Sequence, residues 1–265
     1  MPNTAAGSNY SLRDEIKDYW GQRAATFDEQ PGHEIFSDQE RAAWIALLTK
    51  HLGNGAQQKT LDLASGTGVI SNLLSDLDFD VTGMDWAEPM LDRARQKAAT
   101  RGRNIKFLMA DAENTMEPAN RYEVVTCRHL VWTLVDPQAA FTEWLRILKP
   151  GGRLLIVDGD FVNPNALSRS LNMIRRLRQR LGVSAETSPA QRDQQETHRR
   201  ILSQVFFSKG ARAAKVVELL MEAGFTSTTV DHDLKQINKA QAANFGFWKG
   251  LERSTQHRYA ICAIK

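Results

Sequence analysis

Glycines and acidic residues stand where three successive apolar segments give way to polar sequence. The first segment, Leu61–Gly68, ends in Gly66 and Gly68. Asp85 lies seventeen residues beyond Gly68 at the end of the next apolar segment, and Asp111 follows the third. Glycine lets a backbone turn sharply and approach a ligand, a helix start offers free N–H groups, and a carboxylate accepts ribose hydroxyls. The series predicts a nucleotide-type binding site.

Two classes of nucleotide cofactor compete for this glycine turn. A nicotinamide or flavin dinucleotide site has a third glycine, and here that position is Ser71. The carboxylate of Asp62 would repel a pyrophosphate, whereas it suits the ammonium group of a nucleoside that carries an amino acid. The turn therefore favours the amino-acid nucleoside. The other interpretation is that the acids only cap helices.

The same segments resemble the class I S-adenosylmethionine-dependent methyltransferases, in particular the group that acts on small molecules. The resemblance covers roughly residues 15–160 and the final pair of strands. This sequence has Ala64 where the family has its first glycine, and Ser65 where the family has Cys or Gly. Alanine adds only a methyl group, so we expect binding to be retained. The stretches that carry the resemblance are Leu61–Gly68, Val81–Asp85, Asp111–Glu113 and Leu148–Leu154.

The resemblance implies S-adenosylmethionine as the cofactor and assigns residues to its parts. The segment from Asp62 to Gly68 would cradle the methionine part and Asp85 the ribose. Asp111 would lie by the adenine amino group, and the N–H of Ala112 by a ring nitrogen. Tyr19 and Arg23 of the leading helix would touch the methionine carboxylate. The predicted cofactor-binding residues are Tyr19, Arg23, Asp62, Ala64, Gly66, Gly68, Asp85, Trp86, Asp111, Ala112 and Arg128.

The acceptor site is predicted from the segments that follow the fourth and fifth strands. Methyl transfer is an in-line displacement that needs positioning and a dry pocket, with a base only if the acceptor loses a proton. His129 is either that general base or a residue that shapes the loop. His33, Trp132 and Asp160 are predicted to contact the acceptor, although Trp132 suits a core and Asp160 a loop cap equally well. For Asp158 we favour capping. No metal site is predicted.

The elements that must position these residues alternate between strands and helices. Apolar runs alternate with helical periodicity from Thr60 to Asp158, which predicts parallel βαβ units. We expect an α/β fold with a Rossmann-like, doubly wound, seven-stranded sheet, mostly parallel with an antiparallel last strand. The predicted parts are an N-terminal helical cap (1–55), the cofactor-binding domain (56–162 and 211–265) and a helical lid insertion (163–210).

The insertion carries the basic character of the chain. Residues 163–212 contain ten Lys and Arg and three Asp and Glu, whereas the whole chain has a net charge of +3. A helix over Ala166–Leu181 has a leucine-rich stripe, which we expect to close the pocket. Arg175 and Arg176 would either select an anionic acceptor or remain solvated. Docking of RNA or an acidic protein is a third interpretation.

The bulk composition and the two cysteines fit a soluble, cytoplasmic protein, and the resemblance implies an enzyme that acts on a small-molecule acceptor. Hydrophobic residues make up 42% and charged residues 25%, no apolar run is long enough for a membrane span, and residues 1–9 look disordered. Cys127 and Cys262 give no disulfide framework. Nucleic acid is disfavoured, because the amino-methylation motif Asn/Asp-Pro-Pro-aromatic is absent after the fourth strand. A methyltransferase of RNA or protein, or a non-catalytic binder of the cofactor, are the alternatives, and no residue pattern indicates an oligomeric state.

Overall fold

The computed structural model describes residues 11–163, 189–254 and 256–265. Three sequence predictions lie outside these residues: the disordered start over 1–9, the helix Ala166–Leu181 with its leucine stripe, and the arginines Arg175 and Arg176.

Seven strands form one sheet in the described part of the chain. They are β1 (Lys59–Leu63), β2 (Asp80–Asp85), β3 (Lys106–Met109), β4 (Tyr122–Arg128), β5 (Leu148–Asp160), β6 (Ser227–Asp231) and β7 (His257–Ile264). Their order across the sheet is β3-β2-β1-β4-β5-β7-β6. The pairs among β1 to β5 are parallel, and β7 is antiparallel to both β5 and β6. The predicted doubly wound fold is confirmed.

Helices cover both faces of the sheet, so the core has two apolar layers. One layer packs Phe141, Trp144 and Leu220 on the sheet, and the other packs Trp44 and Leu73. The described helices are α1 (Leu12–Arg23), α2 (Asp38–Leu52), α3 (Val69–Asp76), α4 (Glu88–Thr100), α5 (Pro137–Ile147), α6 (Pro189–Gln204), α7 (Ala213–Ala223), α8 (Lys235–Ala242) and α9 (Phe247–Ser254).

Local sequence signals set several helix ends. Ser11 and Asp14 form a capping box at the start of α1, and the Asp136 carboxylate accepts from the Ala139 N–H at 3.0 Å at the start of α5. Gly224 ends α7 with a φ of 108°, which glycine adopts without strain. These caps place the functional loops at fixed points along the chain.

Four features differ from the sequence prediction. The helix α1 stops at Arg23 and continues as a 3₁₀ turn over Ala24–Glu29. Strand β5 extends to Asp160, because β7 pairs with it along its whole length. The short helices α8 and α9 were not predicted, since they are mostly polar.

Within the described residues, no helix combines the length and the apolar character that crossing a membrane requires.

The described part of the insertion packs on the N-terminal helix. Ile201 of α6 and Val205, which follows α6, contact Ile16 and Tyr19 of α1 in a small apolar cluster of their own. Arg200 also donates to the Glu15 carboxylate at 2.8 Å. The two segments that were predicted to cover the sheet therefore form one layer.

Candidate active site

The backbone between β1 and α3 makes the turn that the glycine pattern predicted. Ala64, Gly66 and Gly68 have positive φ values of 47°, 55° and 78°. The N–H of Gly68 donates to the Ser65 carbonyl at 2.9 Å, which closes the turn. A Cβ added at Gly66 would meet only the ring of Phe27, at 3.8 Å. The backbone at Gly66 therefore borders open space that a ligand can enter.

Ala64 holds a backbone conformation that favours glycine, so we expect Ala64→Gly to stabilise the fold. A non-glycine residue in this region costs roughly 1–2 kcal/mol of folding free energy, which glycine avoids. Part of that gain is lost, because glycine also gives the unfolded chain more conformational freedom. The net gain should be about 0.5–1 kcal/mol, seen as a rise of about 1–4 °C in the thermal unfolding midpoint. Ala46→Gly on the exposed face of α2 is the matched control, and it should lose about 1 kcal/mol. Equal losses at both positions would show that Ala64 is unstrained.

Asp85 lies buried at the end of β2 with its carboxylate fixed by two backbone groups. Gly66 N–H donates to Oδ2 and Ala87 N–H to Oδ1, both at 2.9 Å. Burial raises the pKa of this carboxyl to about 6, although the two N–H donors oppose the shift. Each carboxylate oxygen keeps a free lone pair, so the group can accept two hydroxyls as predicted for a ribose.

Asp62 is also buried, and its carboxylate is a hydrogen-bond partner of Ser71, the residue at the position where a dinucleotide site has its third glycine. The Ser71 hydroxyl donates to Oδ2 at 2.6 Å and the Thr126 hydroxyl to Oδ1 at 3.0 Å. Burial raises the pKa of Asp62 to about 6, and its two hydroxyl donors and the Arg128 guanidinium act in the opposite direction. The predicted partner for an ammonium group is thus held in place by a serine whose role the sequence did not reveal.

Asp111 meets a partner that was not predicted. Arg13 of α1 donates to the Asp111 carboxylate at 2.6 Å and to Glu113 at 2.5 Å. The N–H of Glu113 donates to the other Asp111 oxygen at 2.8 Å. Ala112 between them is buried. Arg13 therefore ties the N-terminal helix to the predicted adenine end of the site.

A single cavity joins these groups. Its empty space, counted out to the open mouth and therefore including solvent, is about 1090 Å³. The predicted site residues that line it are His33, Asp62, Ala64, Gly66, Asp85, Trp86, Asp111, Ala112, Arg128, His129 and Trp132.

Three predicted site residues, Tyr19, Arg23 and Gly68, do not line the cavity. Their contacts are with neighbouring helices and loops. Tyr19 faces α6, and its hydroxyl accepts from the Arg23 guanidinium at 2.8 Å. Arg23 also donates to Gln30 at 3.1 Å. Gly68 packs on α4, where an added Cβ would lie 3.1 Å from the Cβ of Ala94. The structure thus does not bring Tyr19 or Arg23 to the predicted methionine end.

Asp160 also lies outside the cavity lining. Its contacts support the second interpretation, a loop cap, and not the predicted contact with the acceptor. Its carboxylate accepts from the N–H groups of Val162 and Asn163 at 3.2 and 3.0 Å and from the Asn163 side chain at 2.8 Å. Asp158, for which capping was favoured, accepts from the N–H groups of Val131 and Gly159, both at 2.8 Å. Burial raises the pKa of Asp158 to about 7.

Aromatic side chains form a wall of this cavity that reaches the glycine turn through Phe27, and two of them were not predicted. Trp20 contacts Phe27 and Trp132 edge to face, with ring centroids 6.0 and 6.4 Å apart. Phe27 stacks on His33 at 4.1 Å. Trp20 and Phe27 lie seven residues apart in the leading segment, and this spacing was the signal that could have found them. Such a wall suits a flat, apolar ligand.

His33 lines the cavity with one ring nitrogen already engaged. Nδ1 lies 3.2 Å from the Phe27 carbonyl, which can only accept, so Nδ1 carries the proton. Burial lowers the pKa of His33 to about 4, and the guanidinium groups of Arg128 and Arg23 add to the shift. His33 is therefore neutral at physiological pH.

His129 lies at the end of β4 with a φ of 58°, and its Nε2 is 3.0 Å from the Arg258 guanidinium. Because a guanidinium can only donate, Nε2 is the accepting nitrogen and its lone pair is in use. Burial and the nearby Arg258 and Arg128 hold the pKa of His129 well below its ordinary value. Of the two roles predicted for His129, the geometry favours the residue that shapes the loop over the general base.

Three buried arginines stand behind this wall. Arg253 donates to the Gln241 side chain at 2.9 and 2.5 Å, and Arg258 donates to the same oxygen at 3.0 Å. Gln241 in turn donates to the fully buried Glu40 at 2.7 Å. Arg128 donates to the His33 carbonyl at 3.0 Å. Burial lowers the pKa of all three guanidinium groups. Arg128, Arg253 and Arg258, which we call the arginine cluster, therefore lie together near His33 and His129.

Known proteins share this arrangement of elements. Residues 61–156 match the family model described as a methyltransferase domain. The chain is 30% identical over 164 residues to the ubiquinone/menaquinone biosynthesis C-methyltransferase UbiE of Bdellovibrio bacteriovorus, a match that covers 59% of this chain and 67% of that protein. It is 30% identical over 152 residues to the demethylmenaquinone methyltransferase of Clavibacter sepedonicus, covering 56% of this chain and 62% of the relative. The chain thus spans about half to two thirds of the curated relatives it matches.

Solved structures share the fold at low identity. Phosphoethanolamine N-methyltransferase 2 of Haemonchus contortus superposes with a TM-score of 0.66 at 16% identity, covering 100% of this chain and 61% of that chain. A SAM-dependent methyltransferase of Aquifex aeolicus gives a TM-score of 0.58 at 16% identity, covering 92% and 97%. The sheet order agrees with the family match over residues 61–156 and with the relative that is matched over two thirds of its own length. The chain therefore belongs to the class I S-adenosylmethionine-dependent methyltransferases.

Proposed function

We propose that this protein transfers a methyl group from S-adenosylmethionine to a small, flat acceptor of the quinol type. One observation carries the proposal. A single cavity is lined both by a nucleoside-type cradle, with Gly66 and Asp85, and by the aromatic side chains of Trp20, Phe27 and Trp132. A donor and an acceptor molecule can therefore meet in one enclosed space.

The residues present fit the cofactor. Gly66 leaves the turn without a side chain where it borders the cavity, and Asp85 offers carboxylate lone pairs for two hydroxyls. Asp62 is a buried carboxylate within the lining and suits an ammonium group. Asp111 and Ala112 line the far end, where an adenine would lie. We assign these five residues to cofactor binding.

The chemistry of the site follows from what these residues hold in place. When bound, S-adenosylmethionine supplies a methyl group on a positively charged sulfur, ready for in-line displacement. Asp85 and the glycine turn fix the nucleoside, and the aromatic wall fixes the acceptor plane and excludes water. Positioning of this kind accounts for a large share of catalysis in two-substrate reactions.

A flat, electron-rich acceptor fits both the wall and the charge behind it. The relatives that match this chain are named as menaquinone and ubiquinone methyltransferases. Phe27 stacked on His33 leaves a planar surface, and the arginine cluster would stabilise a negative charge that develops on an acceptor oxygen. We therefore extend the proposal to a reduced quinone ring that becomes anionic as it reacts.

We also propose that the segment 163–210 acts as a lid and that the protein works in the cytoplasm. The packing of α6 on α1 supports the first point, because α1 supplies Ile16 and Trp20 to the cavity wall. The unpaired cysteines Cys127 and Cys262 support a reducing compartment.

The test of the proposed function uses the purified full chain, isotope-labelled S-adenosylmethionine and reduced para-naphthoquinone under anaerobic conditions. A metabolite extract serves as a second, unbiased acceptor pool. The expected products are S-adenosylhomocysteine and a naphthohydroquinone that is one methylene unit heavier by mass spectrometry. Label only in RNA or protein fractions would contradict a small-molecule acceptor.

Cofactor affinity should fall as the pH drops through about 6. The hydroxyls of the ligand bind the ionised form of Asp85, whose pKa is about 6 in the protein without ligand. At one pH unit below that value, the dissociation constant of S-adenosylhomocysteine should rise by about tenfold. Isothermal titration calorimetry between pH 5 and 8 measures this dissociation constant. Because the ligand binds the ionised carboxylate, binding near pH 6 should release protons.

This loss of affinity is separable from acid unfolding. The pKa of Asp85 and Asp62 is higher in the folded chain than in the unfolded chain, so protonation of these groups stabilises the fold as the pH falls. A thermal midpoint that these groups hold steady or raise, together with a rising dissociation constant, is the expected pattern. A dissociation constant that stays flat down to pH 5 would contradict the role given to Asp85.

A further inference from the structure

His33 and His129 line the same cavity, and each has one ring nitrogen committed to the protein. For His129 the committed nitrogen is Nε2, which accepts from Arg258 at 3.0 Å. For His33 it is Nδ1, which donates to the Phe27 carbonyl at 3.2 Å. Both rings are therefore fixed as the neutral tautomer that carries its proton on Nδ1. The opposite nitrogen of each ring remains for a ligand.

The two remaining nitrogens have opposite polarity. Nδ1 of His129 carries a proton and can donate, whereas Nε2 of His33 has a lone pair and can accept. Neither atom has a hydrogen-bond partner in the described part of the chain, and neither is among its enclosed, unpartnered polar atoms. Because both residues line the cavity, these nitrogens are its available polar groups on this side.

The two rings lie on the same side of the cavity. Arg128, which precedes His129, donates to the His33 backbone carbonyl at 3.0 Å. The charge of His33 is also felt at His129, whose pKa it helps to lower. The groups that face the two rings are cationic, namely Arg128, Arg253 and Arg258, with Arg23 also near His33. Burial and these cations keep both rings neutral at physiological pH in the protein without ligand.

We infer that His33 and His129 form a two-point clamp for the acceptor, in which His33 Nε2 accepts from a hydroxyl and His129 Nδ1 donates to a second oxygen. The ligand class is a flat ring that carries a hydroxyl and an oxo or second hydroxyl group. The inference rests on the proposed function and deepens it, because it names the groups that the acceptor must carry. His129 is then a specificity residue whose donor is fixed by Arg258.

The first test reads the tautomers without any acceptor or cofactor. Histidine labelled with ¹⁵N in the full chain is observed by long-range ¹H–¹⁵N NMR, and the two residues are assigned with His33→Gln and His129→Gln. We expect both to be neutral Nδ1–H tautomers from about pH 5.5 to 8. An Nε2–H tautomer at either residue, or titration of either ring in that range, overturns the clamp.

The second test uses the fact that Asn places a polar group near the Nδ1 position of histidine and Gln places one near Nε2. The clamp predicts that kcat/KM for reduced para-naphthoquinone is about tenfold higher for His129→Asn than for His129→Gln. It predicts the reverse order at His33, with Gln about tenfold above Asn. A purely structural role predicts the opposite orders, since Gln at position 129 keeps the Arg258 contact and Asn at position 33 keeps the Phe27 contact.

Thermal midpoints and a distant control separate the explanations. Stability should follow the structural order, with His129→Gln above His129→Asn, while kcat/KM follows the clamp order. The same pair of substitutions at the exposed His232 should give equal activity. Activity that follows the stability order overturns the clamp. If the wild-type protein does not methylate the naphthohydroquinone, the proposed acceptor fails, whereas an Nε2–H tautomer at either residue overturns the clamp alone.

Discussion

We expect the Asp85→Ala variant to lose at least about 100-fold in affinity for S-adenosylhomocysteine. The carboxylate is the group that accepts the two ribose hydroxyls in our assignment, and each hydrogen bond to a charged group contributes about 1.5–3 kcal/mol. Two such bonds amount to at least about 3 kcal/mol, or roughly two powers of ten in the dissociation constant. The same substitution frees the N–H groups of Gly66 and Ala87, so the turn itself loosens.

Asp80 provides the matched control, because it lies at the opposite, exposed end of the same strand. Asp80→Ala should bind S-adenosylhomocysteine as the wild type does, measured by calorimetry at neutral pH. Circular dichroism establishes that both variants are folded. A dissociation constant within about threefold of wild type for Asp85→Ala would contradict the cofactor site, since a lost charged hydrogen bond costs more than that.

The sheet and its acidic strand ends were predictable because their signals are local. Each strand is a short apolar run closed by a turn, and Asp62 and Asp85 follow directly from the end of a run. The handedness and connection rules of parallel βαβ units narrow the possible orders of the strands, and the resemblance implied the placement of β1 beside β4. The cofactor end of the site therefore required no information beyond neighbouring residues.

The acceptor end was less predictable because its contacts join distant parts of the chain. Arg128 meets the His33 carbonyl across 95 residues, and Arg258 meets His129 across 129 residues. No spacing rule connects such pairs. The sequence offered His129 as an available base, and its ring nitrogen is occupied by a partner from the last strand. Trp20 and Phe27 show a helical spacing that equally suits a packed core.

The helices α8 and α9 illustrate a second limit. They are mostly polar, and they are held by the buried polar side chains of Gln241 and Arg253 as well as by the apolar Ile237. A periodic apolar pattern is the main sequence signal for a helix, so helices fixed by polar contacts escape it. Helix α9 supplies Arg253 of the arginine cluster, and α8 supplies Gln241, which accepts from it.

We expect Glu40→Gln to lower the free energy of unfolding by about 3 kcal/mol, because removing one partner from a buried ionic group leaves the other charges uncompensated. Glu40 is fully buried and accepts from Gln241, which also receives hydrogen bonds from Arg253 and Arg258. Its charge acts on both of these guanidinium groups. The thermal midpoint should fall by roughly 6–12 °C.

Two further variants show whether charge is the cause. Glu88→Gln breaks an exposed contact with Arg95 and should cost less than about 1 kcal/mol, since surface ion pairs contribute little. Adding Arg253→Met to Glu40→Gln removes one of the uncompensated cations and should recover part of the lost stability. A loss at Glu40→Gln no larger than that at Glu88→Gln would mean that the arginine cluster does not depend on this carboxylate. Recovery in the double variant would instead show that the positive charge beside His129 is held in the fold by Glu40.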